Sequence, residues 1–390
     1  MKPDSQVGAP RRGARVLFIP EVDDSGTSER SPMVLRTLRQ HHDVVGLRAP
    51  WDRIIYDPSR PRAPRGLLYV IDKVLLAWRG ARLARRNHLT TVFCETAHHA
   101  VAGLLIAKVL GLRCVWDSHG NGKQFYESLG KSPRSVRLIV WFERFLGARV
   151  DALITVSTVD AAAYADMGVP PSKIHVIPLS VRLDAIDSDA GAPMPVPDGG
   201  RPTLLFFGSF GYEPNREALE FVNDTLAPGL QGRGIRCEIS VAGRDIPDAT
   251  YHPLVHAIGF VPNIYACIRS ARLCIVPVRH GVGVLTKVLD AMAVGTPLVL
   301  SEFAASGIPD IRPGVHAYVA ATDEDFIRYV GEALADPEAA GAMARRARQL
   351  VERKFDWQAY AGLIDALVDP RIGSATTEVG DARRDHHTQR

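Results

Sequence analysis

Residues 273–294 read LCIVPVRHGVGVLTKVLDAMAV, an apolar strand, a glycine-containing turn and an apolar helix in direct succession. The same order of strand, turn and helix recurs at 90–110 and at 203–223, and it continues over most of the chain. Strands that alternate with helices predict an α/β protein whose parallel sheets are covered by helices on both faces.

Length and composition agree with a globular protein of this class. The 390 residues suggest two or three domains, since a domain commonly has about 100–200 residues. Hydrophobic residues make up 46% and charged residues 23%, so the chain has enough apolar side chains for sizeable cores. Collagen-like, wholly disordered and disulfide-scaffold proteins are excluded. A net charge of +4 gives no reason to expect a nucleic-acid partner.

Cysteine and histidine spacing predicts neither disulfides nor a metal. The five cysteines form no CxxC pair, and reduced thiols in a cytoplasmic protein are the simplest interpretation. Three His-His pairs lack partners at zinc-type spacing. Asp187-Ser188-Asp189 formally matches a DxD metal–nucleotide motif, but it lies in a flexible-looking segment. The N-terminal apolar run is too short for a signal peptide, and we expect no membrane-spanning helix.

Residues 183–201 (LDAIDSDAGAPMPVPDGGR) interrupt the alternation and are interpreted as an interdomain linker. The predicted organisation is a disordered N-terminus (1–13), an N-terminal domain (14–182), the linker (183–201), a C-terminal domain (202–350), closing helices (351–369) and a disordered tail (370–390).

The charge is unevenly distributed along the chain. Residues 60–86 carry a net charge of +7, whereas the remainder carries −3. Within this segment Leu67–Trp78 is largely apolar. A basic amphipathic helix of this kind fits an anionic membrane surface, and the alternative is a helix packed on the sheet with solvated arginine ends.

Ligands of parallel α/β sheets bind beyond the carboxyl ends of the strands, so the residues after each strand are candidates. Glycines follow three strands of the second half, and two cations flank the last glycine turn. Backbone N–H groups, a helix dipole and two cations together bind phosphate without a metal. The alternative is a tight helix-entry turn without a ligand. The candidates are Gly208, Gly243, Arg279, Gly281, Val282, Gly283, Thr286 and Lys287.

Other polar residues near strand ends have two interpretations each. Asp290, one helical turn after Lys287, is placed to bond a ribose hydroxyl pair or to stabilise the helix dipole. His119 follows the strand RCVWD, a position suited to substrate contact or to a structural bond. Ser157 is expected to cap the next helix. Glu21, Asp23 and Asp24 are placed to meet an acceptor or to be solvated loop charges, and the second interpretation is preferred.

Several landmarks together resemble glycosyltransferase family 4, the retaining GT-B glycosyltransferases also called group 1. The run 257–307, from AIGFVPNIYACIRS to LVLSEFAASG, resembles the nucleotide-sugar domain of that family. LITVSTVDAAAYADMGVPPSKIHVIPLSV, LLFFGSFGYEPNREALEFV and RARQLVERKFDWQAYAGLIDAL, at 153–181, 204–222 and 346–367, agree with it in order. The similarity covers residues 14–369.

The resemblance implies a GT-B fold, with two Rossmann-like doubly wound parallel-sheet domains facing a cleft. It implies that the C-terminal half binds the nucleotide sugar and the N-terminal half the acceptor. Matched residues are Asp290 for the ribose carboxylate, Arg279 and Lys287 for the diphosphate cations, Gly259, Phe260 and Val261 for the base segment, Gly208 beside the diphosphate, and His119 near the donor sugar.

The sequence departs from the family at several points. Val282 stands where the family often has a glutamate for sugar hydroxyls, and Asp290 is shorter than the usual glutamate. The arginine and lysine of the loop after the first C-domain strand are missing, with Asn215 near the lysine position. Arg279 and Lys287 are therefore expected to carry more of the diphosphate charge.

The function implied is transfer of a sugar from a nucleotide-diphosphate sugar to an acceptor hydroxyl, with retention and without a metal or other cofactor. His119, Arg279 and Lys287 are the expected catalytic residues. The alternatives are a nucleotide-sugar epimerase and a non-catalytic GT-B-shaped binder or scaffold. The expected acceptor is a glycan, a lipid-linked or a small molecule. We expect a cytoplasmic location, with the inner face of the membrane as a further partner through residues 60–86.

Overall fold

The structure is a computed structural model, and it describes residues 13–21, 30–49, 65–128, 130–188, 200–281 and 285–373. The chain forms two compact units. The N-terminal domain comprises the chain up to Pro178 together with the chain from Tyr360, and the C-terminal domain comprises Leu179–Ala359. Among the described residues, no helix has the length and apolar character needed to cross a bilayer.

The N-terminal domain is built on a parallel six-stranded sheet. Its strands are β1 (Arg15–Ile19), β2 (Asp43–Gly46), β3 (Thr91–Glu95), β4 (Arg113–Ser118), β5 (Ala152–Thr155) and β6 (Ile174–Val176). They lie in the order β2-β1-β3-β4-β5-β6. The helices between them are α1 (Arg30–His41), α2 (Arg65–Arg86), α3 (Thr96–Leu110), α4 (Gly122–Ser128), α5 (Pro133–Arg149) and α6 (Thr158–Asp166), with a 3-10 turn at Pro171–Lys173.

The C-terminal domain has a second parallel six-stranded sheet, in the order β12-β11-β10-β7-β8-β9. Its elements in chain order are α7 (Leu183–Ser188), β7 (Thr203–Ser209), α8 (Glu213–Phe221), a π turn (Val222–Leu226), α9 (Ala227–Gly232), β8 (Glu238–Arg244), β9 (Val255–Gly259), α10 (Ile264–Ser270), β10 (Leu273–Val276), α11 (Thr286–Val294), β11 (Leu298–Ser301), α12 (Glu302–Ser306), β12 (Tyr318–Ala320), α13 (Asp323–Ala335) and α14 (Pro337–Lys354). The predicted α/β architecture of parallel sheets is confirmed.

Local sequence accounts for where several helices begin and end. Ser157 accepts a hydrogen bond from the Asp160 amide at the start of α6, so the predicted cap is confirmed. Asn263 caps α10 in the same way, through the Ala266 amide. α11 ends at Gly295, whose φ of 82° is the left-handed conformation that glycine adopts without strain.

The end of the chain returns to the N-terminal domain. It forms α15 (Gln358–Val368) and α16 (Pro370–Gly373). The Asp365 carboxylate lies 2.6 Å from His41 Nδ1 and 3.2 Å from His42 Nε2. The Thr91 hydroxyl donates a hydrogen bond of 3.0 Å to the Val368 carbonyl. These contacts fasten the last long helix beside the beginnings of β2 and β3.

The domain limits differ from the predicted ones. The first domain ends at Pro178, and α7 occupies the start of the predicted linker. Leu183 and Ile186 are buried in the C-terminal core, because this short amphipathic segment has an apolar pair at i and i+3. Residues 189–199 of the linker lie outside the described residues.

The predicted closing segment at 351–369 is likewise divided. α14 extends to Lys354 within the C-terminal domain, and the return begins at Tyr360. Residues 370–373, predicted as part of the tail, are helical. The remainder of that tail (374–390) and residues 1–12 lie outside the described residues.

We expect Trp116→Ala to lower the free energy of unfolding by about 3–5 kcal/mol, because it empties a fully buried position in β4. The Trp116 ring packs edge-to-face on Tyr164, with centroids 5.5 Å apart. Trp141→Ala is the matched control, since Trp141 is 60% exposed and its removal should cost under about 0.5 kcal/mol. Urea denaturation of both variants measures the difference, and equal losses would contradict the burial of Trp116.

Candidate functional site

Each sheet has one point at which the strand order reverses. In the N-terminal sheet this point lies between β1 and β3, and in the C-terminal sheet between β7 and β10. The loops after such a pair of strands diverge and leave a crevice at the carboxyl edge of the sheet, where α/β proteins bind ligands. The polar residues of both edges are therefore described in turn.

A buried lysine marks the carboxyl edge of the C-terminal sheet. Lys287, in the first turn of α11, has only 8% of its side chain exposed. Its ammonium donates a hydrogen bond of 2.6 Å to the Asn215 amide oxygen and lies 5.2 Å from the Phe206 ring centroid. The Asn215 amide nitrogen donates in turn to the Ser209 carbonyl at 2.7 Å. Asn215, which lies near the position of the loop lysine that the resemblance implies, thus positions Lys287.

The charge of this lysine is incompletely balanced by the residues that the structure describes. Burial lowers the pKa of Lys287 to about 7, because the ammonium loses its hydration. The hydrogen-bond acceptor that faces it is the uncharged amide of Asn215. An anion placed beside Lys287 would raise that pKa again and would be bound correspondingly more tightly.

Two glycines make this close packing possible. A β-carbon at Gly208 would lie 2.9 Å from the Lys287 ammonium. A β-carbon at Gly243 would lie 1.7 Å from the Gly208 carbonyl oxygen, a distance that no side chain tolerates. The two glycines, predicted to follow their strands, instead lie near the carboxyl ends of β7 and β8, and they are required by contact with each other and with Lys287.

The loops after β7 and β10 meet at the starts of two helices. A β-carbon at Gly281 would lie 2.6 Å from the Tyr212 hydroxyl. Tyr212 is the N-cap residue of α8 and Leu285 that of α11, and neither supplies a capping side chain. The first N–H groups of both helices therefore lack a capping side-chain acceptor, and helix starts of this kind bind anions.

Arg279 contacts residues outside this group. Its guanidinium forms an ion pair with Asp323 and lies 4.7 Å from the Phe221 ring centroid. Phe221 is the last residue of α8, about 12 Å along the helix axis from Glu213. Arg279 thus has partners of its own, and its predicted role beside Lys287 at the diphosphate stays a prediction.

Arg244 is a cation that the sequence interpretation passed over. It ends β8 directly after Gly243, and its guanidinium lies 4.9 Å from the Phe260 ring centroid. Phe260 follows β9 and is 58% exposed, between Gly259 and the half-buried Val261. The sequence signal that would have selected Arg244 was its position at the end of an apolar strand, because Gly243 was selected by the same rule.

The remaining predicted positions are more dispersed. The half-buried Asp290 accepts a hydrogen bond of 3.3 Å from the Tyr265 hydroxyl, and Thr286 is exposed at the start of α11. Val282 and Gly283 lie outside the described residues. Asp187 of the formal DxD motif forms an ion pair with Arg348 at 2.7 Å, so its carboxylate already has a structural partner.

In the N-terminal domain, His119 lies in a network of carboxylates at the carboxyl edge. Its Nδ1 is 2.6 Å from the Glu21 carboxylate, and its Nε2 is 3.7 Å from that of Asp117. Burial alone would lower the pKa of His119, but these two carboxylates raise it to about 10. His119 is therefore an imidazolium at neutral pH. Glu21, expected to be a solvated loop charge, instead pairs with it. Asp23 and Asp24 lie outside the described residues.

A buried ion pair supports this network. The Arg30 guanidinium donates two hydrogen bonds of 2.9 Å to Asp117 and one of 3.1 Å to the Ile177 carbonyl. Burial would raise the pKa of Asp117, but the charges of Arg30 and His119 hold it well below its usual range. Arg30, at the start of α1, was not selected from the sequence, because nothing in its local pattern shows what it meets.

Glu95, Asp117 and His119 also form a group of possible metal ligands. One donor atom of each lies within 4.8 Å of the others. Both Asp117 oxygens already accept hydrogen bonds from Arg30, and Nδ1 of His119 faces Glu21. A metal ion held by this group would therefore share the Asp117 carboxylate with the Arg30 guanidinium.

Comparison with known proteins places both halves of the chain in one class. Residues 8–180 match the family model described as "Glycosyl transferase 4-like domain", and residues 201–336 that described as "Glycosyl transferases group 1". Glycogen synthase of Mycobacterium tuberculosis is 30% identical over 179 residues. That match covers 42% of this chain and 42% of the relative, so less than half the length of the curated relative is matched.

Solved structures are similar over nearly the whole chain. Anabaena HepE in complex with UDP-glucose has a TM-score of 0.62 at 12% identity, covering 93% of this chain and 99% of that one. Sucrose-phosphate synthase from Thermosynechococcus elongatus has a TM-score of 0.64 at 16% identity, covering 93% and 100%. These likenesses define a two-domain α/β protein with the GT-B fold. The chain belongs to the group 1, family 4-like glycosyltransferases.

We expect Asp117→Asn to lower the free energy of unfolding at neutral pH by about 3–5 kcal/mol, because it leaves the buried Arg30 charge without its partner. Asp184→Asn is the control, since Asp184 forms an exposed pair with Arg182 that is worth about 1 kcal/mol or less. Denaturant titration measures both. The pKa of Asp117 lies well below that of an ordinary aspartate. The stabilisation from the Arg30 pair is therefore fully present above the usual pKa of an aspartate, and it is lost only when strong acid protonates the carboxylate.

Proposed function

We propose that this protein transfers a sugar from a nucleoside-diphosphate sugar to an acceptor hydroxyl. The observation that carries the proposal is the buried Lys287 ammonium beside Gly208, where the starts of α8 and α11 meet. A diphosphate supplies the negative charge that this group lacks. The Anabaena HepE structures contain UDP or UDP-glucose, which supports a nucleotide-sugar donor for this chain as well.

Departure of the diphosphate is the step that these residues assist. Negative charge grows on the leaving diphosphate as the sugar–oxygen bond breaks, and Lys287 together with two helix starts stabilises it. We assign Arg244 as a further cation of the site, in addition to the predicted Arg279. Such an arrangement needs no metal ion, which is the basis for proposing metal-independent transfer.

The remaining roles follow from the family resemblance. Asp290 is proposed to hold the ribose, and Gly259–Val261 to flank the base. The family implies retention of the anomeric configuration, with the acceptor attacking from the face that the diphosphate leaves and with the leaving diphosphate taking the proton of the acceptor hydroxyl. His119 is proposed to serve as a hydrogen-bond donor rather than a base, because its pKa of about 10 keeps it protonated.

Lys287→Ala should weaken binding of UDP-glucose by about 10–100-fold, because it removes the buried charge that faces the phosphates. Asp290→Ala should weaken binding about tenfold if the carboxylate holds the ribose. Thermal-shift titration with UDP-, GDP-, ADP- and TDP-sugars identifies the base and measures both losses. Lys354→Ala is the control, since Lys354 is a half-exposed partner of Asp310. Unchanged binding in both site variants would remove the proposed donor site.

Product analysis separates transfer from its alternatives. Transfer releases the nucleotide in proportion to the acceptor that is consumed. An epimerase instead converts the nucleotide sugar to an isomer without acceptor, and a non-catalytic binder releases no nucleotide with any acceptor. Anomeric configuration of the product, read from proton coupling constants, tests retention.

Affinity for the nucleotide sugar should fall about tenfold per pH unit above about pH 7, because only the protonated form of Lys287 binds the diphosphate well. A nucleotide sugar is the right probe, since its phosphates have no ionisation in this range. Calorimetry in two buffers of different ionisation enthalpy should show proton uptake on binding near pH 8. Lys287→Met should abolish both the slope and the proton uptake. Equal affinity of the parent protein at about pH 6.5 and about pH 8.5 would contradict this assignment.

A further inference from the structure

Helix α2 presents apolar side chains to the outside and buries the two charged side chains of its middle, Asp72 and Lys73. Val70, Val74 and Trp78, spaced four residues apart on one face, are 56%, 57% and 60% exposed. The one carboxylate of the helix, Asp72, is fully buried and forms an ion pair of 3.0 Å with the buried Lys73. A surface helix of a water-soluble protein shows the opposite pattern. This outer face is therefore suited to an environment other than water.

The same exposed pattern continues on two neighbouring helices. The steps from β2 to β3, β3 to β4 and β4 to β5 run in one direction along the sheet, so right-handed crossovers place α2, α3 and α5 on one face. α3 packs against both α2 and α5. The apolar side chains exposed on this layer are Val70, Ile71, Val74, Trp78, Leu105, Val109, Leu138, Trp141 and Phe145. We call the outer surface of these three helices the basic–apolar face.

The charges of this face have one sign. The carboxylates in the three helices are Asp72 and Glu143, and both are buried, Glu143 accepting a hydrogen bond of 2.9 Å from the Gly122 amide. The basic–apolar face therefore exposes no carboxylate on its described residues. Its exposed cations are Arg79, Arg82, Arg85, Arg86, Lys108, Arg134, Arg137, Arg144 and Arg149.

Cations and aromatic rings are interleaved on this face. The Arg149 guanidinium lies 3.8 Å from the Phe145 ring centroid, and that of Arg82 lies 5.8 Å from that of Trp78. The Trp141 and Phe145 rings are stacked, with centroids 5.8 Å apart. Arginine beside tryptophan and aliphatic side chains is the composition of helices that lie at a membrane interface.

We propose that the basic–apolar face binds the surface of an anionic lipid bilayer. Nine cations without an exposed carboxylate complement anionic headgroups, and the aliphatic and tryptophan side chains fit the boundary between headgroups and acyl chains. A nucleic acid would match the cations but leaves the valines and leucines unused. The surface includes α3 and α5, beyond the segment 60–86 that the sequence singled out, of which residues 60–64 lie outside the described residues. The proposal does not depend on the proposed sugar transfer.

The test is sedimentation of the full chain with vesicles. We expect binding to phosphatidylcholine vesicles containing about 30% phosphatidylglycerol, and at least tenfold weaker binding to pure phosphatidylcholine. Raising sodium chloride from about 50 mM to about 500 mM should weaken binding at least tenfold, because headgroup attraction is screened. No sedimentation with anionic vesicles at low salt would overturn the proposal, as would equal binding to both lipids.

Two sets of variants locate the contact. Trp78→Ser combined with Trp141→Ser, and separately Arg134→Glu combined with Arg137→Glu, should each weaken partitioning at least tenfold. The matched controls are Leu363→Ser on α15 and Arg345→Glu combined with Arg353→Glu on α14, which should leave partitioning within about twofold. Thermal unfolding confirms that each variant is folded. Equal losses in variants and controls would overturn the assignment of the face.

Tryptophan fluorescence gives a second readout. Trp78 and Trp141 are exposed, whereas Trp116 and Trp357 are buried. Anionic vesicles should shift the emission to the blue, and brominated acyl chains should quench it. Both changes should disappear in the variant with Trp78→Phe and Trp141→Phe, measured in a background that also carries Trp51→Phe because Trp51 lies outside the described residues. Binding to heparin with no binding to anionic vesicles would identify a polyanion site instead and would overturn the membrane proposal.

Discussion

In each domain the first strand lies in the interior of the parallel sheet, so later strands are added on both of its sides. This constraint determines where the polar groups of both domains lie. β1 has neighbours on either side, and so does β7. The loops after β1 and β3, and those after β7 and β10, therefore separate and leave a crevice. Elsewhere the helices cover the sheets and apolar side chains fill the space. Charged side chains are buried at these edges, where backbone groups and other polar side chains are able to satisfy them.

The buried charges at the carboxyl edges of the two sheets are stabilised in different ways. In the N-terminal domain the Arg30 guanidinium is matched by the Asp117 carboxylate, and the network extends to an imidazolium at His119. In the C-terminal domain the Lys287 ammonium faces a neutral amide, and burial lowers its pKa. A matched pair is complete without a ligand. An ammonium without a carboxylate partner among the described residues gains most when an anion binds, and this asymmetry is the physical reason for our proposal that the diphosphate binds in the C-terminal domain.

The basic–apolar face of the N-terminal domain lies on the side of the helices that is turned away from the sheet. The inner sides of α2, α3 and α5 pack on the sheet, so packing within the domain does not account for the residues on their outer sides. On those outer sides the sequence places tryptophan, valine and arginine without an exposed carboxylate. The helical pattern of 60–86 had two interpretations because periodicity shows that a helix has two faces and does not show which face meets the sheet.

The alternation of strands and helices, the glycines near the carboxyl ends of β7, β8 and β10, and the cap at Ser157 were all predictable from sequence, because each depends on residues near one another along the chain. So was the family, since several landmarks occur in a fixed order.

The limits of the domains were less predictable, because Leu183 and Ile186 look like linker residues until a core is present to bury them. The position of Arg279 depends on Asp323 and Phe221, which are distant in sequence. The pairing of Lys287 with Asn215 and of Arg30 with Asp117 likewise depends on tertiary structure. Local order is encoded in neighbouring residues, but the balance of a buried charge is decided by what the fold brings beside it.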